Sequence, residues 1–206
     1  IVDDKTRKIA KDFYSSPISR GTIIGGYILS AFLIGCLMSL LTLALTQIYF
    51  VASGEAILPL DQLIKAIGIL LLSSCSAVSL FTFITMFIKT QNAFSSLSIL
   101  FGTIIGFLTG SYIPLGEMSS AVQKAVMLFP ASHTSSLLRK TMMASPFAQV
   151  FEGVPQLIAD QTRRYLGVDF YWNGTQIPEW LSLVYLAGSG LVFFLLSIWV
   201  ASRKRE

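Results

Sequence analysis

Few side chains in this sequence could perform chemistry, and their spacing does not form a catalytic set. The 206 residues contain one histidine, His133, flanked by Ser132 and Thr134, and two cysteines, Cys36 and Cys75, inside apolar blocks. A single histidine does not make a metal site, and no Ser/His/Asp set or H-E-x-x-H pattern accompanies it. We therefore interpret His133 as structural and the cysteines as small hydrophobic residues, and we predict no catalytic residue and no bound metal.

Charged residues are also missing where ion-driven transport would need them. They make up 13% of the chain against 53% hydrophobic residues, and none lies well inside a long apolar block. A charge at the bilayer centre costs at least ~2.5–3.5 kcal/mol, so proteins keep one there for a use such as a proton relay. This argues against a proton- or sodium-driven carrier. The sequence also lacks a G-x-x-x-x-G-K-[ST] phosphate loop, so any transport would take its energy from a partner.

Long apolar blocks predict an all-α fold, a polytopic membrane helix bundle with spanning helices and short re-entrant or outer helices. Four blocks exceed or approach the ~20 residues that cross the hydrocarbon. They occupy residues 21–50, 63–88, 93–113 and 179–202, with helices expected over Thr22–Tyr49, Leu63–Ile88, Ala93–Ile113 and Leu181–Ala201.

Small residues recur at helical spacing in these blocks. Gly102, Gly106 and Gly110 follow one another by four, which places them on one helix face and lets another helix approach closely in lipid. We predict that they pack against a helix of the same protomer or of a second one. A seam of Ala31, Gly35 and Ser39, and serines near the middle of the second block, favour tight packing over a polar pathway.

The polar section at residues 114–178 predicts several short helices. Pro114 breaks the third block, and a re-entrant helix is expected over Met118–Phe129, with Met118, Val122, Ala125 and Phe129 on one face and Pro130 at its end. A second helix should start at Ser132 as N-cap, reach about Met143 and stop at Ser145-Pro146. A third is expected from Pro155 to Leu166, followed by a hairpin turn at Asn173-Gly174.

The first section, residues 1–20, is polar and basic. Val2, Thr6, Ile9 and Phe13 share a helical face, and Lys5, Lys8 and Asp12 lie largely away from it. Ser16-Pro17 ends this amphipathic helix, because the residue before proline avoids the helical region. From the residues alone, a coupling segment and a basic stretch that only sets topology are about equally supported.

The distribution of basic residues predicts the orientation. The first section carries five, the link after the second block carries Lys89, and the tail at residues 203–206 carries three, whereas residues 51–62 carry none. By the positive-inside rule both ends and the Lys89 link are cytoplasmic, and residues 114–178 lie outside. We predict a multi-pass protein of the cell membrane.

Residues 11–20, KDFYSSPISR, resemble the cytoplasmic loop of ABC-2 type permeases, the membrane subunits of bacterial ABC exporters. That loop commonly shows an aspartate, Ser-Pro and a nearby arginine before the third spanning helix. The stretch from Gly110 through Pro114 to Phe129-Pro130 is similar to the end of the family's fifth helix and its re-entrant helices, and the last block with its basic tail resembles the sixth. We therefore expect two further helices upstream of Ile1.

The resemblance implies a permease that works as a homo- or heterodimer in membrane lipid with ABC ATPase subunits on separate chains. This chain would bind no cofactor itself, ATP and Mg would bind the partner, and nucleic acid is not an expected partner. The resemblance also implies that the first section touches the ATPase, through Lys8, Lys11, Asp12, Phe13, Tyr14, Ser16, Pro17 and Arg20.

The leading hypothesis is thus a non-enzymatic transport subunit that exports an amphipathic, lipid-, drug-, peptide- or glycan-like substrate. The alternative is a membrane scaffold or immunity protein that binds a partner through its outer section. A membrane-embedded enzyme ranks third, because no catalytic set is visible.

Overall fold

A computed structural model of the chain describes Val2 and residues 20–203, and of Arg20 the backbone alone. Eight α-helices form between Arg20 and Arg203. Within the described residues, four of them are long and apolar enough to cross a membrane. They are α1 (Arg20–Ala52), α2 (Leu60–Thr85), α3 (Gln91–Leu108) and α8 (Glu179–Arg203). The predicted all-α bundle with four spans is confirmed.

The third spanning helix is shorter than predicted. We expected it to reach Ile113, but α3 ends at Leu108 because Gly110 adopts φ +67° and turns the chain. The amides of Ser111 and Tyr112 then return to the carbonyl oxygen of Gly106, at 2.9 and 3.2 Å. Gly110 therefore lies beyond the helix, and the prediction that it shares a helix face with the two earlier glycines is wrong.

Residues 109–178, which we call the connecting section, fold onto one end of the bundle. The predicted pair of short helices forms here with different bounds, as α4 (Ser120–Met127) and α5 (Pro130–Met142). The remaining elements are a 3-10 turn (Leu115–Glu117), α6 (Ala144–Val150), α7 (Gln156–Tyr165) and the hairpin strands β1 (Tyr171–Trp172) and β2 (Thr175–Gln176).

Two predicted helix boundaries in this section are wrong. Pro130 occupies the first turn of α5, where its missing N–H costs nothing, so Ser132 lies inside the helix and is not its N-cap. Pro146 likewise falls in the first turn of α6 and does not stop the chain from turning helically again. By contrast, the hairpin forms as predicted, with Asn173 and Gly174 at φ 50° and 87°.

The buried face of α4 also differs from the prediction. Val126 and Met127 are buried, whereas Val122 is 47% exposed. The reason is Gln123, whose Nε2 donates to the carbonyl oxygens of Leu115 and Met118, at 3.0 and 2.9 Å. Satisfying these two carbonyls turns Gln123 inward and rotates Val122 away from the core.

Helix α2 is the centre of the bundle and packs against α1, α5 and α8. Ile69, Leu137 and Leu186, one from each of α2, α5 and α8, form one buried cluster. Lower along the same helices, small residues bring backbones close: Gly190 of α8 lies against Ser76, and the hydroxyls of Ser76 and Ser189 are 2.9 Å apart. Because α2 contributes Ser76 to this contact and Ser74 opposite Gly35 of α1, it can approach two neighbours closely.

Candidate functional site

The predicted coupling residues cannot be placed in the structure. Residues 1–20 other than Val2 and the backbone of Arg20 lie outside the described part of the chain, and this covers Lys8, Lys11, Asp12, Phe13, Tyr14, Ser16 and Pro17. Arg20 begins α1. The coupling role of this segment stays a prediction.

The three glycines of the third block have different surroundings. A Cβ atom on Gly102 would meet nothing within 4 Å, and one on Gly106 would overlap the ring of Tyr112, which folds back along α3. A Cβ on Gly110 would lie 3.3 Å from Nη1 of Arg139. Within the described residues, the nearest atoms around these glycines belong to no other spanning helix, and packing against a second protomer stays a prediction.

The predicted re-entrant residues surround the α4–α5 corner. Pro114 precedes the 3-10 turn, and Phe129 and Pro130 follow α4 at the corner itself. At this corner the hydroxyl of Tyr185 donates to the carbonyl oxygen of Leu128. Tyr185 is six residues into α8, so the corner reaches about 9 Å below the start of that helix at 1.5 Å per residue. A seat inside the membrane is compatible with this depth and stays a prediction.

Helix α3 has no buried residue, and Leu108 at its end packs against a cluster that includes Leu115 and Phe170. Two further contacts join the helix to α5 and α2. At one end, side chains spaced by three and four along α5 donate to three successive carbonyls where α3 ends. The pairs are Ser132 Oγ to Leu108 at 2.7 Å, Ser135 Oγ to Thr109 at 2.9 Å and Arg139 Nη2 to Gly110 at 2.9 Å. We call these three bonds the clasp. They satisfy carbonyls that a helix end leaves unpaired.

The second contact lies further down the helices, where the rings of Phe81 and Phe101 pack edge to face with centroids 5.1 Å apart. Between this contact and the clasp, α3 stands away from α2 and α5. A partly open cleft of about 610 Å³ fills the gap. Ligand sites of small molecules have volumes of roughly 300–1,000 Å³, so the cleft is large enough to be one.

The cleft has an apolar wall and a hydroxyl-bearing edge. Its apolar wall includes Ala77, Leu80, Phe81 and Ile105. Along the edge, hydroxyls bond one another across helices, with Thr134 donating to Ser73 at 2.8 Å and Ser39 lying 3.4 Å from Ser74. The serines of α2 thus serve both packing and cleft lining, whereas the sequence favoured packing alone.

Arg139 is the charged residue of the cleft, at the end nearer the connecting section. It is half-buried, and neither ion pair of the described residues includes it, since both are formed by Lys140, with Asp169 at 3.3 Å and Glu179 at 3.8 Å. Burial lowers the pKa of Arg139 from its ordinary value, yet arginine stays protonated in proteins. The cleft therefore ends at a positive charge that no carboxylate of the described chain neutralises.

His133 and Ser182 form a pair that resembles a nucleophile and its base. Nδ1 of His133 lies 3.0 Å from the Ser182 hydroxyl, and Nε2 lies 2.8 Å from the carbonyl oxygen of Met127. A carbonyl only accepts, so Nε2 carries the proton and Nδ1 accepts from Ser182. Both side chains are 4% exposed, which leaves no access for a substrate. The pair joins α4, α5 and α8, in agreement with the structural role predicted for His133.

Arg139 is the site residue that sequence reasoning missed. The available signal was the spacing of Ser132, Ser135 and Arg139, which places three donors on one helix face. That spacing predicts that the three side chains share one neighbouring segment. The segment is the end of α3, and its position depends on the turn at Gly110, which the sequence did not predict. Among Val2 and residues 20–203, no three His, Cys, Asp or Glu residues form a group that could hold a metal ion.

Four spanning helices, a connecting section folded on one end and a cleft between them define a polytopic helical membrane protein. The comparison with protein families agrees: the family model described as "ABC-2 family transporter protein" matches residues 1–199. The chain belongs to this family. It is a membrane transport subunit of the ABC type, and membership implies association with an ABC ATPase. Neither the curated proteins nor the solved structures contain a match.

Proposed function

We propose that this chain is the permease subunit of an ATP-driven exporter that moves an amphipathic substrate outward. The observation that carries the proposal is the cleft of about 610 Å³, which combines an apolar wall with a hydroxyl-lined edge inside a bundle of transporter type. An amphipathic molecule suits such a cleft, because its tail is stabilised by the apolar wall and its polar part can lie at the polar end, where Arg139 stands. Lipid-, drug-, peptide- and glycan-like substrates share this chemistry.

Energy for export would come from a separate ATPase chain that binds ATP and Mg. Two features of the sequence support this: it lacks a phosphate loop, and it lacks charges deep in its spans that could carry ion coupling. The chain itself would perform no catalytic step. A second permease subunit, identical or different, would complete the assembly in the membrane.

The first section would transmit the closure of the ATPase to α1. Phe13 and Tyr14 are the expected anchors, because aromatic residues dominate protein contacts, and Lys8 and Lys11 would tune association at the rim. Pro17 fixes its own backbone angle and so would pass motion into the span with little bending. With the first section and the tail in the cytoplasm of the cell, the connecting section faces outward.

Co-purification from the native membrane, followed by reconstitution with the ATPase, tests the proposal. We expect an ABC ATPase to accompany the full-length protein. The Phe13→Ala/Tyr14→Ala variant should insert normally but lose most ATPase binding and transport, whereas Lys8→Ala should lose little. Recovery of a stable complex without any ATPase would contradict the proposal and support the scaffold alternative. Normal transport by the double variant would reduce the first section to an anchor.

A further inference from the structure

We propose that the cleft binds a single-chain amphiphile with an anionic headgroup, and that Arg139 binds that headgroup. The inference rests on the proposed export function and names the substrate class of the same site. Its basis is the placement of one unneutralised guanidinium at the end of an otherwise uncharged cleft.

The hydrogen bonding of Arg139 leaves donors for a ligand. Nη2 donates to the carbonyl oxygen of Gly110 at 2.9 Å, and among the described residues this is the one hydrogen bond of the guanidinium. An arginine side chain has five N–H groups in a planar fork, which matches the oxygens of a phosphate or carboxylate. The bond to Gly110 also fixes the fork in place, so less side-chain entropy remains to be lost on binding.

Charge around Arg139 favours an anion over a zwitterion or a cation. The nearest charged neighbour on α5, Lys140, already pairs with both Asp169 and Glu179, so it does not need a further partner. Arg163 lies over the ring of Phe147 and lines a smaller cavity that it shares with Arg139. A half-buried positive charge interacts strongly with an anion, because the effective dielectric constant there is lower than in water.

The remaining cleft suits an apolar chain. Away from Arg139 it is lined by Ala77, Leu80, Phe81 and Ile105. Its hydroxyls already have hydrogen-bond partners, either other hydroxyls or backbone carbonyls. Paired hydroxyls do not require a polar ligand atom, so burying a hydrocarbon chain beside them leaves no donor or acceptor unsatisfied. The volume falls within the range of small-molecule sites, which favours one chain over a bulky polymer.

Native mass spectrometry of the full-length protein in neutral detergent tests the proposal with three probes. Dodecyl phosphate combines the tail with an anionic headgroup, dodecylphosphocholine keeps the tail with a zwitterionic headgroup, and inorganic phosphate supplies an anion alone. We expect one dodecyl phosphate per chain, with affinity at least about tenfold higher than for the other two, as a charge-assisted bidentate contact provides. Equal binding of dodecylphosphocholine, or equal binding of inorganic phosphate, would overturn the proposal.

Variants locate the site. Arg139→Gln should weaken dodecyl phosphate binding at least about tenfold, and Arg164→Gln, at an exposed arginine that does not line the cleft, should leave it unchanged. Ala77→Phe, at an exposed cleft position, should block the chain without touching Arg139. If Arg139→Gln fails to fold, Ala77→Phe and the probe comparison decide. Wild-type affinity in either folded variant would overturn the site.

The test separates this inference from the proposed function, because it contains no ATPase. Loss of the predicted binding pattern would overturn the anion site and leave ATPase association intact. Conversely, specific dodecyl phosphate binding in a protein that has no ATPase partner would uphold the site and contradict the exporter.

Discussion

A Cβ atom placed on Gly190 would lie 3.2 Å from the Cα atom of Ser76, so α8 and α2 meet backbone to backbone at this point. On the other side of α2, a Cβ atom on Gly35 of α1 would lie 3.8 Å from the side chain of Ser74, and the hydroxyls of Ser76 and Ser189 pair across α2 and α8. A larger side chain at Gly190 would prevent this close approach of α8 to α2.

Gly190→Leu should therefore destabilise the protein. The new side chain would push against the backbone of Ser76, which cannot yield as a flexible side chain can, and overpacking of this type costs about 1–3 kcal/mol. Thermal unfolding in detergent measures the effect. Gly188→Leu is the matched control, because a Cβ atom there meets nothing within 4 Å. Equal losses in the two variants would mean that helix flexibility matters, and not the contact with α2.

The clasp should contribute stability at the end of α3. Ser132 is 1% exposed, and Ser132→Ala leaves the carbonyl of Leu108 without its partner, which costs on the order of 1 kcal/mol or more. Amide hydrogen exchange should quicken locally at residues 109–112, where the chain turns. Ser98→Ala is the control, because Ser98 is exposed and bonds within its own helix. Unchanged exchange in the Ser132 variant would show that the clasp does not hold this turn.

The pH dependence of stability should report on His133. Burial lowers the pKa of this imidazole from its ordinary value of 6.5, against a smaller opposing effect of the hydrogen bond to the Met127 carbonyl. Between the two pKa values, the imidazole of His133 therefore stays neutral in the folded chain but is protonated in the unfolded chain. Stability is fully present above the unfolded pKa and declines as the pH falls through about 6.5 toward the lower, folded pKa.

Unfolding temperatures between pH 8 and pH 5 test this prediction. His133→Gln keeps a donor for the Met127 carbonyl but does not titrate, so its curve should be flatter over this interval. His133 is the one histidine of the chain, which makes the assignment direct. An equally steep decline in the variant would assign the pH dependence to other groups.

Sequence patterns predicted the spanning helices well and the site poorly, for a physical reason. Apolar runs fix where α1, α2 and α8 form, since each depends on residues adjacent in the chain. The cleft depends on where α3 stops, and that depends on one conformation, the positive φ of Gly110. Glycine spacing by four suggested a continued helix, and a single sequence does not distinguish a packing glycine from one that ends a helix.

The same limit explains the error at α4. A helical face of Met118, Val122, Ala125 and Phe129 satisfies the apolar pattern. The structure instead turns Gln123 inward, because the 3-10 turn leaves two carbonyls that need a donor. The apolar periodicity of a helix carries no information about unpaired carbonyls in a neighbouring turn. Here the hydrogen bonds to those carbonyls, and not the apolar pattern, decide which face of α4 is buried.

The glycines of α3 give a test that separates local from intermolecular roles. Gly106→Leu should displace the exposed ring of Tyr112 and loosen the turn, whereas Gly102→Leu meets open space within the chain. In the isolated protomer Gly102→Leu should therefore be neutral. A loss of dimer in Gly102→Leu, measured by cross-linking in the membrane, would support the predicted helix contact across protomers. Intact dimers in both variants would show that this face meets lipid.

Residues at the two ends of α2 allow the orientation of the chain in the membrane to be tested from both sides. Lys124 and Arg164 belong to the connecting section, and Glu55 joins α1 to α2 at the same end, whereas Lys89 lies at the opposite end of α2. The 26 residues of α2 measure about 39 Å, enough to hold these ends on opposite sides of a bilayer. A membrane-impermeant thiol reagent should therefore label one set and spare the other.

In a Cys36→Ala/Cys75→Ala background, we expect labelling of Glu55→Cys, Lys124→Cys and Arg164→Cys in intact cells. Lys89→Cys should react only after the membrane is permeabilised, because the basic residues of the two ends and of this link retain them in the cytoplasm. Labelling of position 89 without position 124 would mean that the chain has the opposite orientation in the membrane. The cleft's charged end at Arg139 would then open toward the cytoplasm, and the proposed export route would have to run in the opposite direction.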